Sequence, residues 1–151
     1  MHKKLILSAC ATLLIVANTA SADGDHDDDS NAVKYRHQVM ETMGSSFGAF
    51  ILLFTNKVEQ PAEHWVANAR NLASAAALTK DLVPAGSEGG EALPAIWKDM
   101  DEYQKYAQDV ADATAQLAAS AEAGDRAGMG KAFKAAGQSC KGCHDKFREE
   151  D

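Results

Sequence analysis

The sequence predicts an all-α protein, an antiparallel, left-handed four-helix bundle. Three features carry this expectation. Four stretches repeat apolar residues at helical spacings, no stretch alternates apolar and polar residues as a strand would, and two of the three connections are short. The third stretch keeps a strict heptad, which favours shallow, left-handed helix crossings.

The chain opens on an export signal over residues 1–22. "MHKK" is a positive start, "LILSACATLLIVA" an apolar stretch, and Ala20-Ser21-Ala22 a small-x-small cleavage site. Leu7-Ser8-Ala9-Cys10 resembles a lipoprotein box, but the apolar run continues past Cys10, so Cys10 leaves with the signal. All 22 acidic residues but only 13 of the 15 basic ones lie beyond Ala22, leaving a formal charge of −9. That excludes nucleic acid as the expected partner. No further apolar run reaches membrane-spanning length. The mature product is expected in the periplasm. It begins with an acidic run, residues 23–30, that has nothing to bury and is expected to be disordered. His26 belongs to that run. Residues 31–151 form the bundle, with Ser30 or Asn31 capping its first helix.

The first helix is expected from Ala32 to Lys57, with Met40, Met43, Phe47, Phe50 or Ile51, and Phe54 on one face. "FGAFILLF" is apolar nearly all round, so this helix needs a second apolar surface, expected to be a subunit interface. Pro61 suits the start of the second helix, whose stripe is Trp65, Ala69, Leu72 and Ala76. "VPAGSEGGEALP" is the long loop. The third helix is expected from about Pro94, with Ile96, Met100, Tyr103, Ala107, Val110, Thr114, Leu117 and Ala121 in register. Gly124 ends it, and Asp125 caps the fourth, where Phe133, Ala136, Cys140, Cys143 or His144, and Phe147 align. Trp97, Tyr103 and Tyr106 read as core.

The fourth helix carries "CKGCHDKFREED", which holds the only cysteines of the mature chain, Cys140 and Cys143. A disulfide there would close a very small loop beside the C-terminus and constrain little of the unfolded chain. C-x-x-C-H is the attachment signature of c-type haem. Positions i, i+3 and i+4 share a helix face, so Cys140, Cys143 and His144 point the same way. Two thiols can then add to the two vinyl groups of one porphyrin, with the imidazole placed on the iron. A thioredoxin-like pair would open a helix in a mixed α/β domain, and a zinc site lacks spaced ligands among His26, His37 and His64. Haem c, one per chain, attached near the C-terminal helix, is the expected cofactor.

The C-terminal motif with Arg148 one turn later, "VKYRHQVM", "GSEGGEALPAIW" and "SCKGCHDKFR" together resemble the cytochromes c′ over essentially the whole mature chain. The resemblance implies a haem-bearing bundle, homodimeric through its first two helices. It implies a five-coordinate, high-spin iron held by His144 and an apolar residue, Met40, blocking the open position. Nitric oxide and carbon monoxide are the implied ligands, with dioxygen discriminated against. Arg148 would stand beside the histidine and Arg36 near a haem propionate, with His37, Ser87, Glu88 and Glu91 approaching the haem edge.

Met40 admits three readings: ordinary core, lid over a vacant iron position, or sixth ligand in a low-spin His144/Met40 electron carrier. As a cation in the last turn, Arg148 would favour the helix dipole in any case. The lid is the expectation, and with it nitric oxide sequestration or detoxification, with possible electron transfer to a redox partner that the sequence does not identify. Enzymatic turnover is not expected, because no distal His-plus-Arg pair stands out in a polar pocket and Met40 is a poor acid–base group.

Overall fold

The computed structural model describes residues 30–150. The export signal and the acidic run fall on residues 1–29 and lie outside them, save for Ser30. The helices are α1 (Asn31–Phe54), α2 (Ala62–Ala76), the single turn α3 (Ala95–Lys98), α4 (Met100–Glu122) and α5 (Arg126–Phe147). Among the long ones, α1 packs on α2, α2 on α4, and α4 on α5. A 3₁₀ turn, Thr79–Asp81, follows α2.

Local chemistry fixes the ends. The Ser30 hydroxyl accepts from the Val33 amide at 3.3 Å and opens α1. That helix stops at Phe54 rather than Lys57, because Asn56 turns into the left-handed region at φ 54°. Gly124, at φ 67°, ends α4 after Ala123, a conformation that costs glycine nothing. Asp125 then caps α5, accepting from the Gly128 amide at 2.9 Å.

One expected helix is two. The stretch from Pro94 breaks at Asp99 (φ −130°, ψ 56°), which separates α3 from α4. The heptad survives the break. Ile96, Tyr103, Ala107, Val110, Thr114, Leu117 and Ala121 are all buried, and Met100 is half-buried. The long loop also gains two isolated bridges, Gly89 with Ala92 and Ala92 with Arg148.

The core divides along the bundle. One cluster centres on Phe50, fully buried among Ala69, Leu72, Leu117, Ala121, Met129 and Ala132, with Phe47, Phe54, Trp65 and Phe133 around it. Phe47 stacks on Phe133 with ring centroids 4.1 Å apart, and Phe50 meets Trp65 edge-on at 5.7 Å. Glycines on α5 admit these rings. A Cβ at Gly137 would lie 3.3 Å from the Phe47 ring, and one at Gly130 would lie 3.0 Å from that of Phe54. The second cluster, Val83, Ile96, Tyr103, Ala107 and Phe147, lies where α4 begins and α5 ends.

Candidate cofactor site

The last turns of α5 place Cys140, Cys143 and His144 on one face, as the spacing requires. Both cysteines are free, half-buried thiols. Burial pushes the Cys143 thiol up to about 11, with Cys140 adding to the effect, and burial raises Cys140 too. The thiols are therefore protonated at neutral pH. His144 is exposed to solvent. Loss of water around its ring, then the Arg148 cation, lower its pKa below the ordinary imidazole value, against weaker pulls from Glu91 and Asp145. The neutral imidazole is the form that ligates a metal.

Beside this face lies a cleft open to solvent. From α1 come Val33, Arg36, His37 and Met40. From α5 and the residue after it come Cys143, His144, Phe147 and Arg148. Gly90, Glu91 and Ala92 of the long loop close one side, and Val83, Ile96 and Tyr103 line the rest.

The loop is held from both helices. Arg36 is buried, and its guanidinium donates to the carbonyls of Gly89 at 2.7 Å, Ser87 at 2.9 Å and Leu82 at 3.4 Å. Trp97 lies 6.0 Å from it, a cation–π distance. At the other end, the Leu93 amide donates to the Phe147 carbonyl and the Glu149 amide to the Glu91 carbonyl, each at 2.9 Å. Arg148 Nε lies 2.6 Å from Glu91 Oε2. Tyr103 donates its buried hydroxyl to the Thr79 carbonyl at 2.6 Å, and burial raises its pKa far enough to keep the phenol neutral.

Of the residues singled out from sequence, Arg36, His37, Met40, Glu91, Cys143, His144 and Arg148 meet in this one cleft. Cys140 lies one turn before Cys143, outside that lining. Ser87 is a fully buried residue of the loop, its hydroxyl donating to the Pro84 carbonyl at 2.7 Å, and Glu88 is exposed outside the lining. The sequence reading missed Val33 as a wall residue, although it sits one turn before Arg36 and His37 on the face that continues to Met40. Ile96, Tyr103 and Phe147 read as core, and they are both core and wall.

The set fits a covalently held porphyrin. It has two thiols a turn apart, a neutral imidazole next to them, apolar walls from Val33, Val83, Ile96 and Phe147, and a buried guanidinium at the rim. Among the described residues, no helix is long and apolar enough to cross a membrane.

Comparison with known proteins agrees with this chemistry. The family model described as Cytochrome C′ matches residues 31–148. The cytochrome c′ of Alcaligenes xylosoxydans xylosoxydans is 35% identical over 120 residues, covering 80% of this chain and 94% of that one. A cytochrome c-554 of Cereibacter sphaeroides is 34% identical over 127 residues, covering 79% of this chain and 93% of that protein. Among solved structures, the ferrous form of a variant Alcaligenes xylosoxidans cytochrome c prime with bound NO superposes with a TM-score of 0.75. It is 34% identical and covers 80% of this chain and 95% of its own. Those matches and the bundle geometry place the chain in the cytochrome c′ family, with a c-type haem as its cofactor.

Proposed function

We propose that this chain is an exported haem protein that captures nitric oxide and carbon monoxide, and so sequesters nitric oxide in the periplasm. The observation that carries the reading is that Met40 of α1 and His144 of α5 line the same cleft. Once attached, the haem supplies an iron that takes electrons and small diatomic ligands. The protein's part is to hold it and to guard one side. Cys140 and Cys143 would hold the haem through thioether links, His144 would ligate its iron, and Arg36 would offer a cation to a propionate. Residues 1–22 act as the export signal, and the bundle from residue 31 is the functional unit. Binding and electron transfer, rather than turnover, are the activities proposed, in keeping with the family to which the chain belongs.

Met40 acts as a lid. Its unbranched side chain has several accessible rotamers, so it can swing aside for a small ligand at modest cost. A His144/Met40-ligated electron carrier is the second reading, since both residues line the same cleft. Absorption and resonance spectra of the ferric holoprotein separate the two. A high-spin spectrum, and faster carbon monoxide association in Met40→Ala, are expected. A low-spin iron with a sulfur-to-iron charge-transfer band would replace the lid by the ligand.

A homodimer through α1 and α2 belongs to the same proposal. Ile51 and Leu52 are 40% and 50% exposed, and nothing lies within 4 Å of a Cβ built at Gly44 or Gly48. This leaves α1 an apolar face with room for close approach. Sedimentation velocity should return a dimer that Leu52→Lys converts to monomer with its haem spectrum intact. A wild-type monomer at micromolar concentration would remove the interface.

A further inference from the structure

We propose that Glu91 is a positioning residue for the proximal side of the haem, holding the Arg148 guanidinium at a set place beside His144. The proposal rests on the haem reading above and assigns control of that site to a loop residue.

Backbone connections make the pairing specific. Arg148 leaves α5 in an extended conformation (φ −115°, ψ 144°) while its amide still donates to the His144 carbonyl at 3.1 Å. It therefore sits one turn from His144 with its side chain free of the helical rotamer pattern. The loop comes to meet it. Ala92 bridges to Arg148, and the Glu149 amide donates to the Glu91 carbonyl. With backbone fixed on both sides, the Glu91 carboxylate and Arg148 Nε close at 2.6 Å. The other end of the loop is anchored on α1, through Arg36 to the Gly89 carbonyl two residues before Glu91. Arg36 stands one turn from Met40. A continuous set of contacts thus runs from the lid helix, through Gly89 and Glu91, to Arg148 on the histidine's side.

The pair is a restraint that can be released. The Arg148 and Glu91 side chains are 36% and 47% exposed, so solvent and salt screen their attraction. An exposed pair of this kind holds a geometry through a small free energy, one that bound ligand or ionic strength is able to offset. Releasing it takes the Glu91 carboxylate's negative charge away from the guanidinium near the imidazole, which favours the reduced, less positive centre.

The test is a double-mutant cycle on the purified holoprotein: wild type, Glu91→Gln, Arg148→Ala and the double variant. The readouts are haem reduction potential, nitric oxide dissociation rate and a crystal structure of the Glu91→Gln form. Glu91→Gln is expected to raise the potential and change the dissociation rate by roughly two- to five-fold, the scale of an exposed ion pair. At least half of either effect should vanish once Arg148 is alanine, and raising the salt should bring wild type towards Glu91→Gln. The crystal structure should show the guanidinium displaced. Additive effects, an unmoved Arg148, or a Glu91→Gln protein identical to wild type in potential and dissociation would each overturn the proposal. If nitric oxide does not bind at all, the gas-capture reading fails, while the potential and the crystal structure still decide the role of Glu91.

Discussion

Replacing Cys140 and Cys143 together by serine yields a chain with no covalently attached haem. Its mass in denaturing conditions is that of the bare polypeptide, whereas wild type keeps its colour through acid–acetone extraction. The reason is chemical. Thioether formation needs a sulfur nucleophile at each of two vinyl positions, and a hydroxyl does not replace it at neutral pH. Both thiols sit half-buried on the face that also carries His144, so a porphyrin bonded at either sulfur lies against the same imidazole. Each single serine variant retains one link and the axial ligand, and is expected to give a mixture of attached and extractable haem. A double variant that holds its pigment through denaturing electrophoresis would sink the assignment of these cysteines.

Phe50→Ala has the largest expected effect on the fold. Phe50 is fully buried and packs against three other rings, with Phe133 at 5.0 Å, Trp65 at 5.7 Å and Phe54 at 6.1 Å between centroids. Truncating such a side chain removes its transfer free energy and leaves a cavity that rigid neighbours fill poorly, a loss of about 3–5 kcal/mol. Native domains hold only about 5–15 kcal/mol in total, so the variant should unfold at markedly lower urea concentration. The haem spectrum of the remaining folded fraction should be unchanged, because the second core cluster, not this one, borders the cleft. A loss below about 1 kcal/mol, against the usual range for buried aromatics, would mean that the ring cluster closes over the gap.

Much of this architecture was legible because local signals and packing agree. The cap at Ser30, the stop at Gly124 and the cap at Asp125 stand where the residue types put them. The heptad from Ile96 to Ala121 also names its buried positions, apart from half-buried Met100. The break at Asp99 was not legible. Its carboxylate lies 3.2 Å from Lys146 Nζ, a contact 47 residues away that no helix propensity encodes. The same applies to the loop. "GSEGGEALP" announces turns, but its pairing with Arg148 joins positions 57 apart in sequence. The site motif was readable from spacing alone, since one helix turn brings its three members together. Tyr103 shows the remaining ambiguity: period places it inward, and only the assembled bundle shows that inward there is also the wall of the cleft.

The aromatic rings and the cysteine motif occupy opposite ends of the same helices, with Phe47 to Phe54 following Arg36 to Met40 along α1, and Phe133 preceding Cys140 along α5. Side chains around the pigment can therefore be exchanged without dismantling the keel that keeps the vessel upright.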